Sequence, residues 1–244
     1  KTTKATRAAL AKLIKTDSRA WNQSISLHGE HEEAQAALEH AAGAQRRMAD
    51  LILRVARKAF PDRWRSLRLS MPTLACWVGY DLDGRADIHW SQSLTFRLTE
   101  KAMQLERYAA RAEEISAKFK EAGALAKLAS HLRKCAKLTR SQADLFAKDL
   151  TEADNLVAAA NALTDHGSHT IINASEILTK LDEGFEQASD DLAAELIAFR
   201  AEISAQQLGT ARIQLRVNAA QVRTVINRDL GLETEDRELG RVAL

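Results

Sequence analysis

The residues best suited to chemistry lie close together, between Trp77 and Trp90. This stretch carries three aspartates, two glycines, one arginine and two tryptophans within fourteen residues. Carboxylates can hold cations, a guanidinium binds anions through paired hydrogen bonds, and glycines let the backbone turn sharply or come close to a ligand. The stretch therefore predicts either a ligand-binding turn or a structural turn whose aspartates accept hydrogen bonds from backbone amides.

The order Asp81, Leu82, Asp83, Gly84 is similar to the beginning of a calcium-binding loop. Such a loop needs a glutamate at its twelfth position, and Gln92 stands there instead. We therefore do not expect a calcium site.

Part of this stretch resembles a motif of the phosphoenolpyruvate carboxylases, which reads Ser-Trp-Met-Gly-Gly-Asp-Arg-Asp-Gly-Asn-Pro. The residues that match, in register and without gaps, are Trp77, Gly79, Asp81, Asp83 and Gly84. Among the residues that depart from it are Tyr80, Leu82, Arg85 and Ala86, where the family has glycine, arginine, asparagine and proline. Replacing the motif arginine by Leu82 removes one anion contact, and Arg85 is close enough in sequence to reach the same space.

A second, weaker match lies further along the chain. The segment from Leu208 to Arg216 resembles a family strand that contains Phe-Gly-Leu and ends in Asp-Ile-Arg-Gln, with a shorter spacing and with Val217 in place of the glutamine. The two matches and a helical context that is compatible with the family together cover residues 6–216. The resemblance implies a substrate-binding set of Trp77, Gly79, Asp81, Asp83, Gly84, Arg85 and Arg216.

The family carboxylates phosphoenolpyruvate with bicarbonate to oxaloacetate, and a complete active relative uses Mg²⁺ or Mn²⁺ to polarise the enolate oxygen. This chain has no Thr-Ala-His-Pro-Thr segment, no Gly-Arg-Gly-Gly-Ser loop and no acidic metal-binding region. The first of these supplies the family's catalytic histidine, which manages protons at the reacting group. We therefore expect the isolated chain to be inactive, with no catalytic set, metal site or cofactor of its own.

The elements that must position these residues are predicted to be helices, because apolar residues recur three and four positions apart along most of the chain. The apolar stripes are Ala34, Leu38, Ala41, Met48, Ile52, Val55 and Ala59; Leu98, Ala102, Leu105, Ala109, Ala112, Ile115 and Phe119; Leu125, Leu128, Leu132 and Cys135; Phe146, Leu150, Ala153, Val157 and Ala160; and Leu178, Leu181, Phe185, Ala188, Leu192, Leu196, Phe199 and Ile203. The prediction is an all-α protein, a single domain over residues 1–244, formed by a multi-helix bundle of long antiparallel helices.

One segment breaks the helical period. From Arg212 to Val217 polar and apolar residues alternate strictly, which is typical of a strand. A single strand needs a partner for its backbone groups. Two interpretations follow: the partner lies outside this chain, or the segment joins a helix that continues through Asn218 and Val225. The prediction is thus at most one short strand.

Composition narrows the function classes. The chain has 35 basic and 33 acidic residues, a net charge of +2, and the signs are interspersed, so a nucleic-acid partner is not expected. No apolar run is long enough to span a membrane, and the two cysteines are predicted to be buried thiols in a reducing compartment, so we expect a cytoplasmic protein. The expected partner is the remainder of a longer parent chain or a second copy.

The sequence is compatible with two functions. The chain is either the helical portion of a phosphoenolpyruvate carboxylase-like protein, or a non-catalytic helical scaffold or protein-interaction domain.

Overall fold

The computed structural model describes residues 11–12, 26–85, 87–165, 167–183 and 185–226. The helical prediction is confirmed, since seven α-helices account for most of the residues in this part of the chain. They are α1 (Leu27–Ala59), α2 (Trp90–Lys118), α3 (Gly123–Phe146), α4 (Ala153–Thr164), α5 (Ser175–Asp182), α6 (Asp190–Gln206) and α7 (Ala219–Val225). Among these helices, none combines the length and apolar character that crossing a membrane requires.

Local capping explains where the long helices begin. Ser26 caps α1, because its hydroxyl oxygen accepts a hydrogen bond from the amide of Gly29 at 3.1 Å. His89 and Gln92 form a reciprocal capping box at the start of α2. Ser189 caps α6 ahead of two aspartates, whose charges are favourable at a helix N-terminus. These residues satisfy amides that have no partner inside the helix.

Interhelical pairs give the direction of each helix. Glu106 and Glu113 of α2 pair with Arg140 and Arg133 of α3 in reverse order, so these two helices are antiparallel. Similarly, Arg57 at the end of α1 pairs with Asp191 at the start of α6, and Gln45 bonds to Gln206 at the end of α6.

Helices α1 and α2, in contrast, run parallel. His31 contacts Glu100 near their beginnings and Arg46 contacts Glu114 further along both helices. The connection between them, residues 60–89, therefore returns along the length of α1. It carries a short 3₁₀ turn, Trp64–Ser66, and the strand β1, Ala75–Cys76.

The main core draws buried apolar residues from α1, α2, α3, α5 and α6. The predicted stripe of α3 is buried in this core, and so is that of α2 from Leu105 to Ile115. Leu98, at the start of the α2 stripe, is buried in a smaller cluster with Phe146 and Ala159. Both stripes are thus confirmed. The residues from Leu178 to Ile203 also face the core, but in two helices, α5 and α6, because Ser189 starts a new helix. The stripe from Phe146 to Ala160 is wrong beyond Leu150: α3 ends at Phe146, and Val157 is exposed on α4.

The stripe predicted for α1 is wrong in its second half. Met48, Ile52 and Val55 are exposed, whereas Ala49 and Leu53 are buried. The buried face of α1 also includes polar residues of its first half, His31 and Gln35. Their side chains have hydrogen-bond partners across the interface, which compensates the cost of burying them.

The alternating segment is a strand with a partner inside this chain. Strand β2, Arg212–Ile213, pairs in parallel with β1, and an additional bridge joins Asp81 to Arg216. There are thus two strands of two residues each in the described part of the chain, not at most one. The helical interpretation of this segment is wrong, because α7 begins only at Ala219.

Candidate functional site

The turn that follows β1 and the end of the β2 segment are fastened together by backbone hydrogen bonds. The amide of Arg216 donates to the carbonyl of Tyr80, and the amide of Leu82 donates to the carbonyl of Arg216, both at 3.0 Å. The two segments that resemble the carboxylase family therefore meet in space. Asp81 and Arg216 pair in a separate parallel bridge that follows the two strands.

Gly79 gives the turn its shape. Its φ of +88° lies in the left-handed region, and a β-carbon there would come within 2.6 Å of the Phe96 ring. The Ser93 hydroxyl donates a 2.6 Å hydrogen bond to the Gly79 carbonyl, which fixes the turn on the first turns of α2. Only glycine satisfies both the backbone angle and the space beside Phe96.

Asp81 and Asp83 form a pair of carboxyl groups. A hydrogen bond with Asp83, together with desolvation, raises the pKa of Asp81 above its usual range. Asp81 Oδ1 is buried and accepts no hydrogen bond from a described residue, although Arg216 Nη1 lies 3.8 Å away. Gly84 leaves room beside it, because a β-carbon there would lie 3.1 Å from Asp81 Oδ2.

Arg85 pairs with Asp87 and Glu30 rather than with Asp81 or Asp83. Its Nε and Nη2 donate to the two carboxylate oxygens of Asp87 at 2.9 and 2.6 Å, and its Nη1 donates to Glu30 at 2.7 Å. These bonds raise the pKa of Arg85 and hold the pKa of Asp87 below its usual range. Arg85 therefore ties the turn to α1, and its donors already have acceptors. Its neighbour Ala86 lies outside the described residues.

Trp77 is not a buried anchor, since 60% of its surface is exposed. Tyr80 takes that role. Its side chain, at the position of the family's second glycine, is almost fully buried, and its hydroxyl donates to Glu100 Oε1 at 2.8 Å. Burial and the nearby Glu100 carboxylate raise the pKa of the Tyr80 phenol.

Glu100 is the centre of a buried polar cluster beneath the turn. Its Oε1 is 3.0 Å from His31 Nε2, accepts from Gln35 Nε2 at 3.3 Å, and accepts from Tyr80; its Oε2 accepts from Arg97 at 3.2 Å. Sequence analysis missed this cluster because its members come from α1, the turn and α2, which are far apart in the chain. The spacing of Leu27, His31 and Gln35, four residues apart, was the available signal for their face of α1.

Arg97 joins this cluster to the second segment. Its Nη1 also lies 3.3 Å from the carbonyl of Ala211, just before β2. Gly209 permits this contact, because a β-carbon there would overlap the Arg97 guanidinium. The buried cluster thus supports both strands of the site.

Leu82 occupies the position of the family's arginine and serves a different purpose. It packs with Ile213 against an apolar cluster that contains Leu27, Tyr80 and Phe96. Leu82 therefore makes a packing contact. Arg216 is the less engaged cation of the site, with 53% of its side chain exposed.

The chemistry available to the site is limited. Within the described residues, no group of three or more histidine, cysteine, aspartate or glutamate side chains is placed to hold a metal ion. Asp81 and Asp83 supply two carboxyl groups, and Arg216 supplies one cation that can reach an anion. These residues could contribute to a larger site, but the described part of the chain does not fit a divalent metal centre by itself.

Comparison with known proteins returned no matching family model, no significantly similar curated protein and no significantly similar solved structure.

Proposed function

We propose that this chain is the helical portion of a phosphoenolpyruvate carboxylase-like protein, and that the turn from Trp77 to Asp87 with Arg216 forms one edge of its anion-binding site. The complete protein would carboxylate phosphoenolpyruvate with bicarbonate to oxaloacetate in the cytoplasm. Mg²⁺ or Mn²⁺ would supply the Lewis acid there, held by residues beyond those described. The chain alone is expected to have no carboxylase activity.

One observation carries this proposal: the two segments that resemble the family are parallel neighbours, joined at Asp81 and Arg216. They are more than one hundred residues apart in sequence, and the resemblance was drawn from each segment separately. A pair of two-residue strands is marginal by itself. Further parallel strands, such as those of the family's barrel, would complete the sheet and bring additional residues to the same edge.

Within such a site, the residues of this chain would bind and orient. Arg216 would donate hydrogen bonds to a phosphate or carboxylate of the substrate, since a guanidinium can form two parallel bonds to either group. Asp81 lies beside it, with its Oδ1 3.8 Å from Arg216 Nη1, so the two side chains attract each other electrostatically. Arg85 would position the turn through Glu30 and Asp87 rather than contact the anion.

The competing function is a non-catalytic helical scaffold or protein-interaction domain. Two observations favour it. Each nitrogen of the Arg85 guanidinium already donates to a carboxylate of the chain, and α1 exposes a row of large apolar side chains, as interaction surfaces do. In this case the turn is structural and Arg216 binds nothing.

Calorimetric titration of the 244-residue chain with phosphoenolpyruvate separates the two functions. The carboxylase-like proposal expects weak binding that Arg216→Ala abolishes. Arg140→Ala, which removes an exposed arginine of α3 that pairs with Glu106, should leave the binding unchanged. Equal loss in both variants, or no binding to the unmodified chain, would support the scaffold.

A coupled assay for oxaloacetate, with bicarbonate and Mg²⁺ present, tests the expected inactivity. We expect no turnover above a heat-treated control. Turnover that depends on bicarbonate would show that the chain holds a complete catalytic set, contrary to the proposal.

A further inference from the structure

One side of α1 carries large apolar residues that no described part of the chain covers. Met48, Leu51, Ile52 and Val55 are 36–59% exposed, and their spacing of three and four residues places them in one row. This row lies on a different side of the helix from Ala49 and Leu53, which face the core. An exposed apolar row of this kind marks an interaction surface rather than scattered surface residues.

The same row continues into the first half of α1 with small residues. Ala34, Ala37, Ala41 and Ala44 follow the same spacing on the same side of the helix. Ala37 and Ala44 are exposed, and Ala34 and Ala41 are partly buried. One half of the row is therefore shallow and the other half protrudes.

Charge divides α1 at the same point. Residues 27–43 contain four glutamates and no lysine or arginine, whereas residues 44–59 contain four arginines and one lysine against one aspartate. Glu30, Arg46 and Arg57 pair with other elements of the chain. The remaining charges keep the same division, with three glutamates in the first half and two arginines and one lysine against one aspartate in the second. A second α1 laid antiparallel against the first would bring the acidic half of each helix to the basic half of the other. A parallel arrangement would place like charges together, which is unfavourable.

We infer that this row is the interface of a homodimer, in which two α1 helices pack antiparallel about a two-fold axis next to Ala44. One register aligns small residues with large ones throughout: Ala34 faces Val55, Ala37 faces Ile52 and Ala41 faces Met48 of the other copy. Each contact occurs twice, as a two-fold axis requires.

The register also brings opposite charges together at the ends of the interface. Glu33 lies at the edge of the row and comes near Lys58 of the second copy. The overlap of residues 30–59 gives a contact about 45 Å long. Alanine in the facing positions allows the two helices to approach closely, so the large side chains fill the space between them.

Sedimentation equilibrium of the full chain tests for the dimer. We expect Ile52→Lys to raise the dimer dissociation constant by about tenfold or more, because the variant buries a charge without a partner. Val157→Lys is the control: Val157 is also an exposed apolar residue (56%, against 36% for Ile52), but it lies on α4, so its replacement should leave the dissociation constant unchanged. A chain that is monomeric at high concentration, or an equal effect of both variants, would overturn the inference.

Cysteine cross-linking tests the register. The Ala44→Cys variant places two thiols next to the axis, so mild oxidation should link the copies. The Ala37→Cys variant places them about 22 Å apart along the helices and should give no link. The unmodified chain controls for Cys76 and Cys135, which are both buried. If the Ala37→Cys variant links as readily as the Ala44→Cys variant, the helices are parallel and the proposed arrangement is contradicted.

Charge reversal distinguishes a second copy from another occupant of the row. Glu33→Lys and Lys58→Glu should each weaken the dimer, and the double variant should recover it, because the two new charges again face each other across the axis. Far-ultraviolet circular dichroism checks that each variant remains folded. If the double variant is weaker than either single one, the two residues are not neighbours and the register is wrong.

Discussion

At the scale of single residues, the turn depends on side chains that the family motif does not contain. Tyr80 replaces a glycine, yet its hydroxyl donates to Glu100, which also contacts His31, Gln35 and Arg97. The carboxylate is buried, so each of these donors compensates part of the cost of removing its charge from water. Tyr80 is therefore one of the residues that support the turn.

Tyr80→Phe should destabilise the chain by about 1–3 kcal/mol, because a buried acceptor loses a donor. Glu100→Gln should also destabilise it, and the two effects should not add, since the residues share one hydrogen bond. Guanidinium unfolding of both single variants and the double variant measures the coupling. Additive changes would mean that the Tyr80 hydroxyl and Glu100 do not interact.

Gly79→Ala should lower the free energy of unfolding by about 1–3 kcal/mol, because alanine is strained at a φ of +88° and its methyl group meets Phe96. Gly123→Ala is the matched control. That position has ordinary helical angles and open space, so the change should be neutral or stabilise the chain by up to about 1 kcal/mol. Thermal unfolding of both variants distinguishes a required glycine from a tolerated one.

Asp81 and Asp87 should respond to pH in opposite directions. The hydrogen bond with Asp83 and desolvation raise the pKa of Asp81. The contribution of Asp81 to the free energy of unfolding is therefore present at low pH and is lost as the pH rises through the folded pKa. The pKa of Asp87 is lowered by Arg85, so its share is present above the unfolded pKa and lost as pH falls.

Unfolding measurements from about pH 3 to pH 6 cover the range in which an unfolded aspartate titrates. Relative to the unmodified chain, Asp81→Asn should gain stability as pH rises, and Asp87→Asn should lose it. Parallel curves for the two variants would contradict the assigned carboxyl pair and the Arg85 contact.

At the scale of elements, α1 is the longest helix whose faces the apolar pattern assigns incorrectly. The pattern selected Met48, Ile52 and Val55, but the core takes Ala49 and Leu53. Gln45 lies on the buried side, where its amide donates to the carbonyl of Pro72 and its oxygen accepts from Gln206. Polar residues that find partners can occupy a buried face while apolar residues remain exposed.

Leu53→Ala should cost about 2–5 kcal/mol, the range for a buried leucine that leaves a cavity. Leu51→Ala, two residues earlier but 53% exposed, should cost less than about 0.5 kcal/mol when measured on dilute, monomeric protein. Chemical denaturation compares the pair directly. Similar costs would mean that α1 is rotated about its axis relative to the arrangement described above.

At the scale of the whole molecule, helix dominates, and short strands contribute only at the site. We expect the chain in solution to be more than about half helical, well above the one-third of a typical globular domain. Far-ultraviolet circular dichroism with a strand-dominated spectrum would contradict the fold. Removing the strand pair should not change the spectrum much, because the core of the bundle does not include β1 or β2.

The sequence by itself determined the helical class and the buried faces of α2 and α3. Both follow from local periodicity, because an apolar stripe on a helix must be covered by other elements. It also identified the two segments of the site, since glycines, aspartates and a period of two are local features. Capping residues such as Ser189 were present in the sequence and would have divided α5 from α6.

Only the tertiary structure decided how these pieces meet. The strand pairing between residues 75–76 and 212–213 and the parallel direction of α1 and α2 depend on residues that are distant in sequence. Arg85 pairs with Asp87 and Glu30 although other carboxylates lie nearby, and only the structure shows which of them it contacts. The burial of His31 and Glu100 has the same origin. A polar side chain can enter the core only when a partner is already there, and local sequence does not contain that partner.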